Sequence, residues 1–330
     1  MESRASNHIC AALETPVDSS RSDTALVTNS VVHVREDLSN VINNISPEET
    51  PVYSMLEKKK ATNTRHEFLT ETLNAANGNN AVAEGAEFVD SALTTPVRLG
   101  NYTQISTKVI NVSGTLQAVN SVGSNNEFGR QVAKAGVELK RDIETSLVGN
   151  SASVGGPVRK SAGIEAWIST NVNAGAGGTS PGYSAGTVAA PTDGTLRTLT
   201  EAMFKGVIAT AWTNGGDVKK VIAGPSLKQA ISGFTGNATK FQQAKDQTVT
   251  AGIDVYVSDF GRHEIIPHRY MRSRTVILFD PSLWAIATLR AMKTEDLAKT
   301  TDADRKAILT EWTLESKNEL GNAKIADVQP

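Results

Sequence analysis

The stretch Leu73–Phe88 reads LNAANGNNAVAEGAEF and lies between HEFLTETL (66–73) and TTPVRLGNYTQISTKVINVSGT (94–115). Both flanks have strand character, with Phe68 against Thr70 on one side and Ile105, Lys108, Ile110 and Val112 on the return. This predicts a long β-hairpin with an Asn/Gly-rich tip. Arms of this length reach roughly 25–50 Å at ~3.3 Å per residue. Ordering the roughly twenty-residue tip costs about 1–2 kcal/mol per residue in backbone entropy. Val82, Phe88, Val89 and Leu93 are too few to offset that by folding on themselves. Either the tip is disordered or another subunit orders it.

The rest of the chain sets bounds on that subunit. Its 330 residues leave room for two or three domains, each with its own core. The formal net charge is −2 with acids and bases intermixed, so no basic footprint points to sequence-specific nucleic-acid binding. A single cysteine, Cys10, excludes an intramolecular disulfide framework, and it reads as an incidental thiol in a polar tail. No apolar run approaches the ~18–20 residues that span a bilayer, so no membrane role is expected. ICAAL (9–13) is too short for a signal-peptide core and runs into Glu14, so secretion is not indicated.

Residues 1–30 read as a flexible tail. Val34, Leu38, Val41, Ile42 and Ile45 recur at helical spacing until Ser46-Pro47 stops them, and extended chain is expected after Thr50-Pro51. Lys58–Lys60 reads as a solvated basic spot, with contact to a phosphate or an acidic neighbour as the alternative. The clearest helix is SNNEFGRQVAKAGVELKRDIETSLVGN (124–150). Ser124 and Glu127 fit a capping box, and Gly149-Asn150 fits a left-handed stop. Phe128, Val132, Ala135, Leu139, Ile143 and Leu147 form its apolar face, with Lys134/Glu138 and Lys140/Glu144 as pairs on the polar side. GIEAWIST (163–170) is a short ordered piece, and 171–193 reads as a long loop and a domain boundary. An α/β pattern follows: a helix over 200–212, a strand over 218–223, a helix opened by Pro225, and the strands DVYVSDFG, HEIIPHRY and TVILFD. DPSLWAIATLR (280–290), ILTEWTLESKNE (308–319) and AKIADV read as returning strands.

No catalytic constellation assembles from these parts. GAGGTSPG (175–182) neither follows a strand nor opens a helix, so it is not a phosphate loop. His263-Glu264 begins like a zinc-protease motif, but His268 falls one residue late, and both histidines read as surface strand residues. The paired acids Glu295/Asp296 and Asp302/Asp304 sit in KTEDLAKTTDADRK, which looks like a solvated loop and not a metal site. No catalytic, cofactor-binding or metal residue is assigned, and an enzyme is not expected. An adhesin or surface-layer module is the competing structural reading, and a hydrolase using either histidine the third.

Arm, long hairpin, spine helix, α/β domain and returning strands together resemble the α+β major capsid (major head) protein fold of tailed double-stranded DNA bacteriophages. The local sequence is similar to the branch typified by an elongated-headed enterobacterial phage. REDLSNVINNISPEETP (35–51), ATNTRHEF (61–68), GNYTQISTKVINVSGT (100–115), VELKRDIETSLVGN (137–150), ISGFTGNAT (231–239), TEDLAKT (294–300) and EWTLESKNE (311–319) carry the match, which runs from about Val34 to the C-terminus.

The resemblance implies an N-terminal tail and arm over 1–60 and an extended loop over 61–115 that lies across a neighbouring subunit. It implies a peripheral domain over 116–190, with a spine helix at 125–149, an axial domain over 191–290, and a return to the peripheral domain over 291–330. It also implies self-assembly into hexamers and pentamers of an icosahedral or prolate shell, in a virion assembled in the host bacterial cytoplasm. Portal, scaffold or decoration proteins would be partners, as would packaged double-stranded DNA through non-specific contacts. Glu84, Glu87, Asp90 and Arg98, charges on a segment in want of a partner, are the candidate inter-subunit contacts. Some capsids of this fold are covalently linked through a lysine in the extended loop. This chain has no lysine between Lys60 and Lys108, so no such linkage is expected.

Overall fold

The computed structural model describes residues 49–87, 89–119, 126–234 and 254–330. The N-terminal tail with Cys10, the helix expected over 34–45, Phe88 and the capping residue Ser124 lie outside them. Pro51 does not lead into extended chain directly. It opens a single helical turn, α1 (Pro51–Met55), at whose first position a missing N–H costs nothing. The chain then extends as β1 (Glu57–Lys60).

The predicted hairpin is present, and its return arm divides. β2 (Arg65–Thr70) pairs antiparallel with β3 (Val97–Tyr102), Phe68 lying opposite Leu99. After Thr103 the return arm resumes as β4 (Gln104–Ser113), which leaves the hairpin for a different sheet. The described residues of 71–96, between β2 and β3, hold no regular structure apart from isolated turns.

A short helix, α2 (Gly114–Ala118), leads toward the spine helix α3 (Glu127–Val148), which is about 33 Å long at 1.5 Å per residue. Ala135, Leu139, Ile143 and Leu147 are buried as their spacing requires, and Phe128 and Val132 pack at the margin of the same core. Its termini differ from expectation. Asn126 is the N-cap, accepting from Gly129 N at 2.8 Å, and Gly149 leaves the helix in extended conformation, not a left-handed one. The chain folds back as α4 (Ile164–Trp167), buried at all four positions. Gly163 makes that return possible, since a Cβ there would lie 2.1 Å from the carbonyl oxygen of Gly149.

The expected loop over 171–193 carries short strands β5 (Val172–Asn173), β6 (Tyr183–Ser184) and β7 (Thr187–Val188), and β8 (Arg197–Thr198) follows. Helix α5 (Glu201–Thr213), strand β9 (Lys220–Ala223) and helix α6 (Pro225–Ser232) come next, as their periodicity predicts. Beyond them lie β10 (Val255–Ser258), β11 (Gly261–Pro267) and β12 (Thr275–Phe279). The long antiparallel pair β13 (Trp284–Asp296) and β14 (Ala303–Ser316) and the closing strands β15 (Ala323–Ala326) and β16 (Val328–Gln329) complete the chain. Glu295 and Asp296 therefore end a strand, and only 297–302 form the loop expected over KTEDLAKTTDADRK.

Two sheets organise these parts. One has the order β1-β13-β14-β4, with β1 parallel to β13 and the other neighbours antiparallel. Its even-numbered β14 residues Ile308, Trp312 and Leu314 join Ile110 and Val112 of β4 in the core that holds the buried face of α3. The other sheet is mixed and six-stranded, β10-β11-β9-β12-β15-β5. One of its faces packs Val221, Val276, Leu278 and Ile325 against Phe204, Val207 and Ile208 of α5 and Leu227 and Ile231 of α6. Ile222, Ile277 and Phe279 join the core of the first sheet. Each such large apolar side chain contributes roughly 1.5–3 kcal/mol on burial.

Candidate inter-subunit interface

The hairpin is held at its root by two carboxylates of β14. Glu311 and Glu315 alternate with Trp312 and Leu314, so they fall on the face of the sheet opposite the spine helix. Neither is solvated. Glu315 accepts from Lys59 Nζ of β1 at 2.7 Å and contacts His66 Nε2 of β2 at 2.9 Å. Glu311 accepts from Thr103 Oγ1 at 2.7 Å, Arg159 Nη2 at 2.6 Å and Arg290 Nε at 2.9 Å. Burial pushes both carboxyls up, but these bonds outweigh it and hold each below the ordinary glutamate value. Lys59 is thus no solvated spot: the acidic-neighbour alternative describes it. Lys58 lies over the Tyr53 ring, 3.5 Å from its centroid, and burial lowers its pKa to about 8.

Apolar and amide contacts reinforce the root. His66, Phe68, Trp167 and Tyr183 follow one another at ring separations of 6.0, 5.9 and 5.7 Å, the last pair stacked. The Asn101 side chain is fully buried and donates to Leu314 O at 2.8 Å while accepting from Ala162 N at 3.1 Å. Arg65 donates to Gly186 O at 2.9 Å.

A second junction fixes the arm. Glu144, expected on the polar side of the spine helix with Lys140, is instead completely buried. Its carboxylate accepts from Val52 N at 2.8 Å and Tyr53 N at 2.7 Å, in the first turn of α1, and meets His268 Nε2 at 2.7 Å. His268 is therefore an interior residue. So is His263, which bridges Val218 O and Ser258 Oγ at 2.6 Å each, and whose pKa burial lowers. The expectation of surface histidines fails for both, because His263 alternates with the exposed Arg262 and Glu264 on the buried side of β11 beside Ile265, and His268 is tied down by its N–H to Ala223 O and its ring to Glu144.

The four predicted contact residues lie elsewhere. Glu84, Glu87 and Asp90 are exposed in the tip, and Arg98 is on β3, 3.8 Å from Glu67 of β2. The structure does not gather them into one site. The tip also exposes Leu73, Val82, Val89 and Leu93, each more than 80% accessible. Asn74 Nδ2 bonds Ala92 O and Thr94 Oγ1 bonds Thr72 O, so the flanks run side by side beyond the last ladder pair. The glycine-rich segment 175–182 is structural: Gly175 N donates to the buried Asp327, which also accepts from Arg274. Among the described residues no group of three or more potential ligands could hold a metal ion, and no helix is long and apolar enough to cross a membrane.

The chain as a whole is similar to proteins of known kind. The chain is 36% identical to the major capsid protein of Escherichia phage Phieco32 over 114 residues, 34% of this chain and 32% of that protein. Among solved structures it resembles a capsid subunit of cyanophage A-1(L), with a TM-score of 0.62 at 12% identity over 92% of this chain and 99% of the other. A capsid subunit of an empty GTA particle gives 0.61 at 11% identity over 94% and 99%. At such identities the structures establish the fold, which is the mixed α+β fold of capsid subunits. Membership rests on sequence, where the pattern of the SU10 major capsid protein matches residues 20–329. Covering nearly the whole chain, that match places this protein in the SU10 major capsid protein family.

Proposed function

We propose that this chain builds the head shell of a tailed phage as hexamers and pentamers, with no chemistry of its own. The observation that carries this is the hairpin: its root is bonded to β14, while its tip exposes Leu73, Val82, Val89 and Leu93 with none of the described residues covering them. The extended loop of 61–115 crosses to a neighbouring subunit, where Glu84, Glu87, Asp90 and Arg98 supply polar contacts. The arm lies within 1–60, the peripheral domain in 116–190 and 291–330, and the axial domain in 191–290. The six-stranded sheet spans two of these segments, since β15 closes against β12 and β5 against β15, which supports a rigid joint between them. Packaged double-stranded DNA is held by non-specific contacts, and a portal and a scaffold or decoration protein are the further partners.

A standard interface buries about 800 Å² per partner, and closed assembly multiplies modest pair affinities. Full-length protein, alone and with the neighbouring head genes, would be followed by light scattering and negative-stain electron microscopy. Shells, tubes or rings of five or six are expected. A monomer under both conditions overturns the reading.

A further inference from the structure

Asn-Gly occurs twice in the chain, at 77–78 in the hairpin tip and at 214–215 after α5. The pair has a chemistry of its own. No side chain shields the glycine nitrogen, so it can attack the side-chain carbonyl carbon of the preceding asparagine and close a five-membered imide. The reaction needs a free asparagine amide and a free glycine N–H, and the two sites differ in both.

All four residues are exposed, yet those at 214–215 are tied down. Asn214 ends α5, its N–H donating to Thr210 O at 3.1 Å and its Nδ2 to Asn171 Oδ1 at 2.6 Å. The Gly215 N–H donates to Trp212 O at 3.0 Å, with Gly215 held at a φ of +82°. Ring closure there would undo the end of a helix. At 77–78 nothing comparable holds. The Gly78 N–H has no acceptor among the described residues, and the described residues of 71–96 form no helix or strand. The Asn77 side chain folds forward over its own chain, where the Asn79 N–H donates to its Oδ1 at 3.0 Å. That donor sits on the oxygen that takes up charge as the ring closes, and it favours the step as any donor to a developing oxyanion does.

We infer that Asn77 is a site of spontaneous modification by water, through an imide formed with Gly78. The Gly78 nitrogen bonds to Asn77 Cγ, the Cγ–Nδ2 bond breaks, and ammonia leaves with the proton that Gly78 gives up. Water then opens the imide at either carbonyl, giving aspartate or isoaspartate with no change of oxidation state. Either product adds a negative charge to a segment, 71–97, that holds Glu71, Glu84, Glu87 and Asp90 and no lysine or arginine. Isoaspartate also reroutes the backbone through the side-chain carbon, which alters the course of the tip.

The test is to incubate the full-length protein at pH 7 and pH 9 and map its peptides by mass spectrometry, with isoaspartyl methylation as the second readout. Asn77 should convert about tenfold or more faster than Asn214, a barrier difference of about 1.4 kcal/mol. Its rate should rise with pH, because the attacking nitrogen must lose its proton. Gly78→Val should slow Asn77 by a similar factor and leave Asn214 unchanged. That variant should fold, since a Cβ at Gly78 meets nothing within 4 Å and its φ is not left-handed. An Asn77 that keeps its amide, that converts no faster than Asn214, or that ignores Gly78→Val overturns the inference. The site does not depend on the shell reading. Where the tip meets a neighbour, Asn77 should convert about tenfold more slowly in particles than in free subunits. Equal rates in assembled particles would overturn that contact alone.

Discussion

The two ends of one hairpin follow opposite rules. At the root, buried polar side chains bind distant segments: Glu315 joins β1 to β2, Glu311 gathers Thr103, Arg159 and Arg290, and Asn101 bonds two backbone groups in the interior. At the tip, acids and aliphatic side chains alike face water. The root serves the stability of one subunit, and the tip is the part we propose meets the next. Mutations should therefore separate the two properties cleanly.

The largest effect expected is on assembly. Deleting residues 73–88 removes the tip and should abolish closed particles, while the melting temperature of the isolated chain moves by no more than a few degrees. A large drop in stability would instead show that the tip folds onto its own subunit. Next comes the root. Glu311→Ala strands the Arg159 and Arg290 guanidiniums and the Thr103 hydroxyl beneath the hairpin, and should cost about 2–4 kcal/mol in denaturant melts. Glu144→Ala, which frees two amides of α1 and leaves His268 Nε2 without its partner, should cost a similar amount and expose the arm to proteolysis near residue 52.

A smaller effect follows from pH. Glu311 and Glu315 both titrate below the ordinary glutamate value of 4.5. A carboxylate depressed on folding contributes stability that is fully present above its unfolded-state value and lost as pH falls through its folded-state value. Chemical melts between pH 7 and pH 3 should therefore show a decline beginning near pH 4.5, shallower in a Glu311→Gln, Glu315→Gln double variant. Smallest of all, Glu84→Gln or Glu87→Gln should change the stability of the isolated chain by less than about 0.5 kcal/mol. Any effect of either on particle yield would place that carboxylate at a contact.

Periodicity made much of this fold legible. Leu139, Ile143 and Leu147 announce the buried stripe of the spine helix, and Thr200 and Pro225 mark where α5 and α6 begin. The buried charges were not legible, for a physical reason. Glu311 and Glu315 alternate with apolar residues as the wet face of a half-buried strand would, and only β1, the hairpin root and Arg159, all well over a hundred residues away in sequence, make that face dry. Glu144 left a fainter sign. It stands four residues before Val148, which is buried, and so shares that residue's side of the helix. Lys140, four residues earlier, suggested a surface pair instead. The candidate interface was legible in a different sense: the tip's composition showed that it had no core of its own, and the structure leaves it uncovered.

The pinned root has a mechanical consequence. From the last ladder residue, Thr70, to the tip near Ala83 the chain spans at most about 40 Å at ~3.3 Å per residue. A cantilever of that length turns a tilt of roughly 5° at its base into a displacement of about 3.5 Å at its end, which exceeds the tolerance of a hydrogen bond. The bonds from β14 to β1, β2 and Thr103 therefore set the angular accuracy with which each subunit aims its hairpin. A fault at Glu315 would be felt farthest from where it is made.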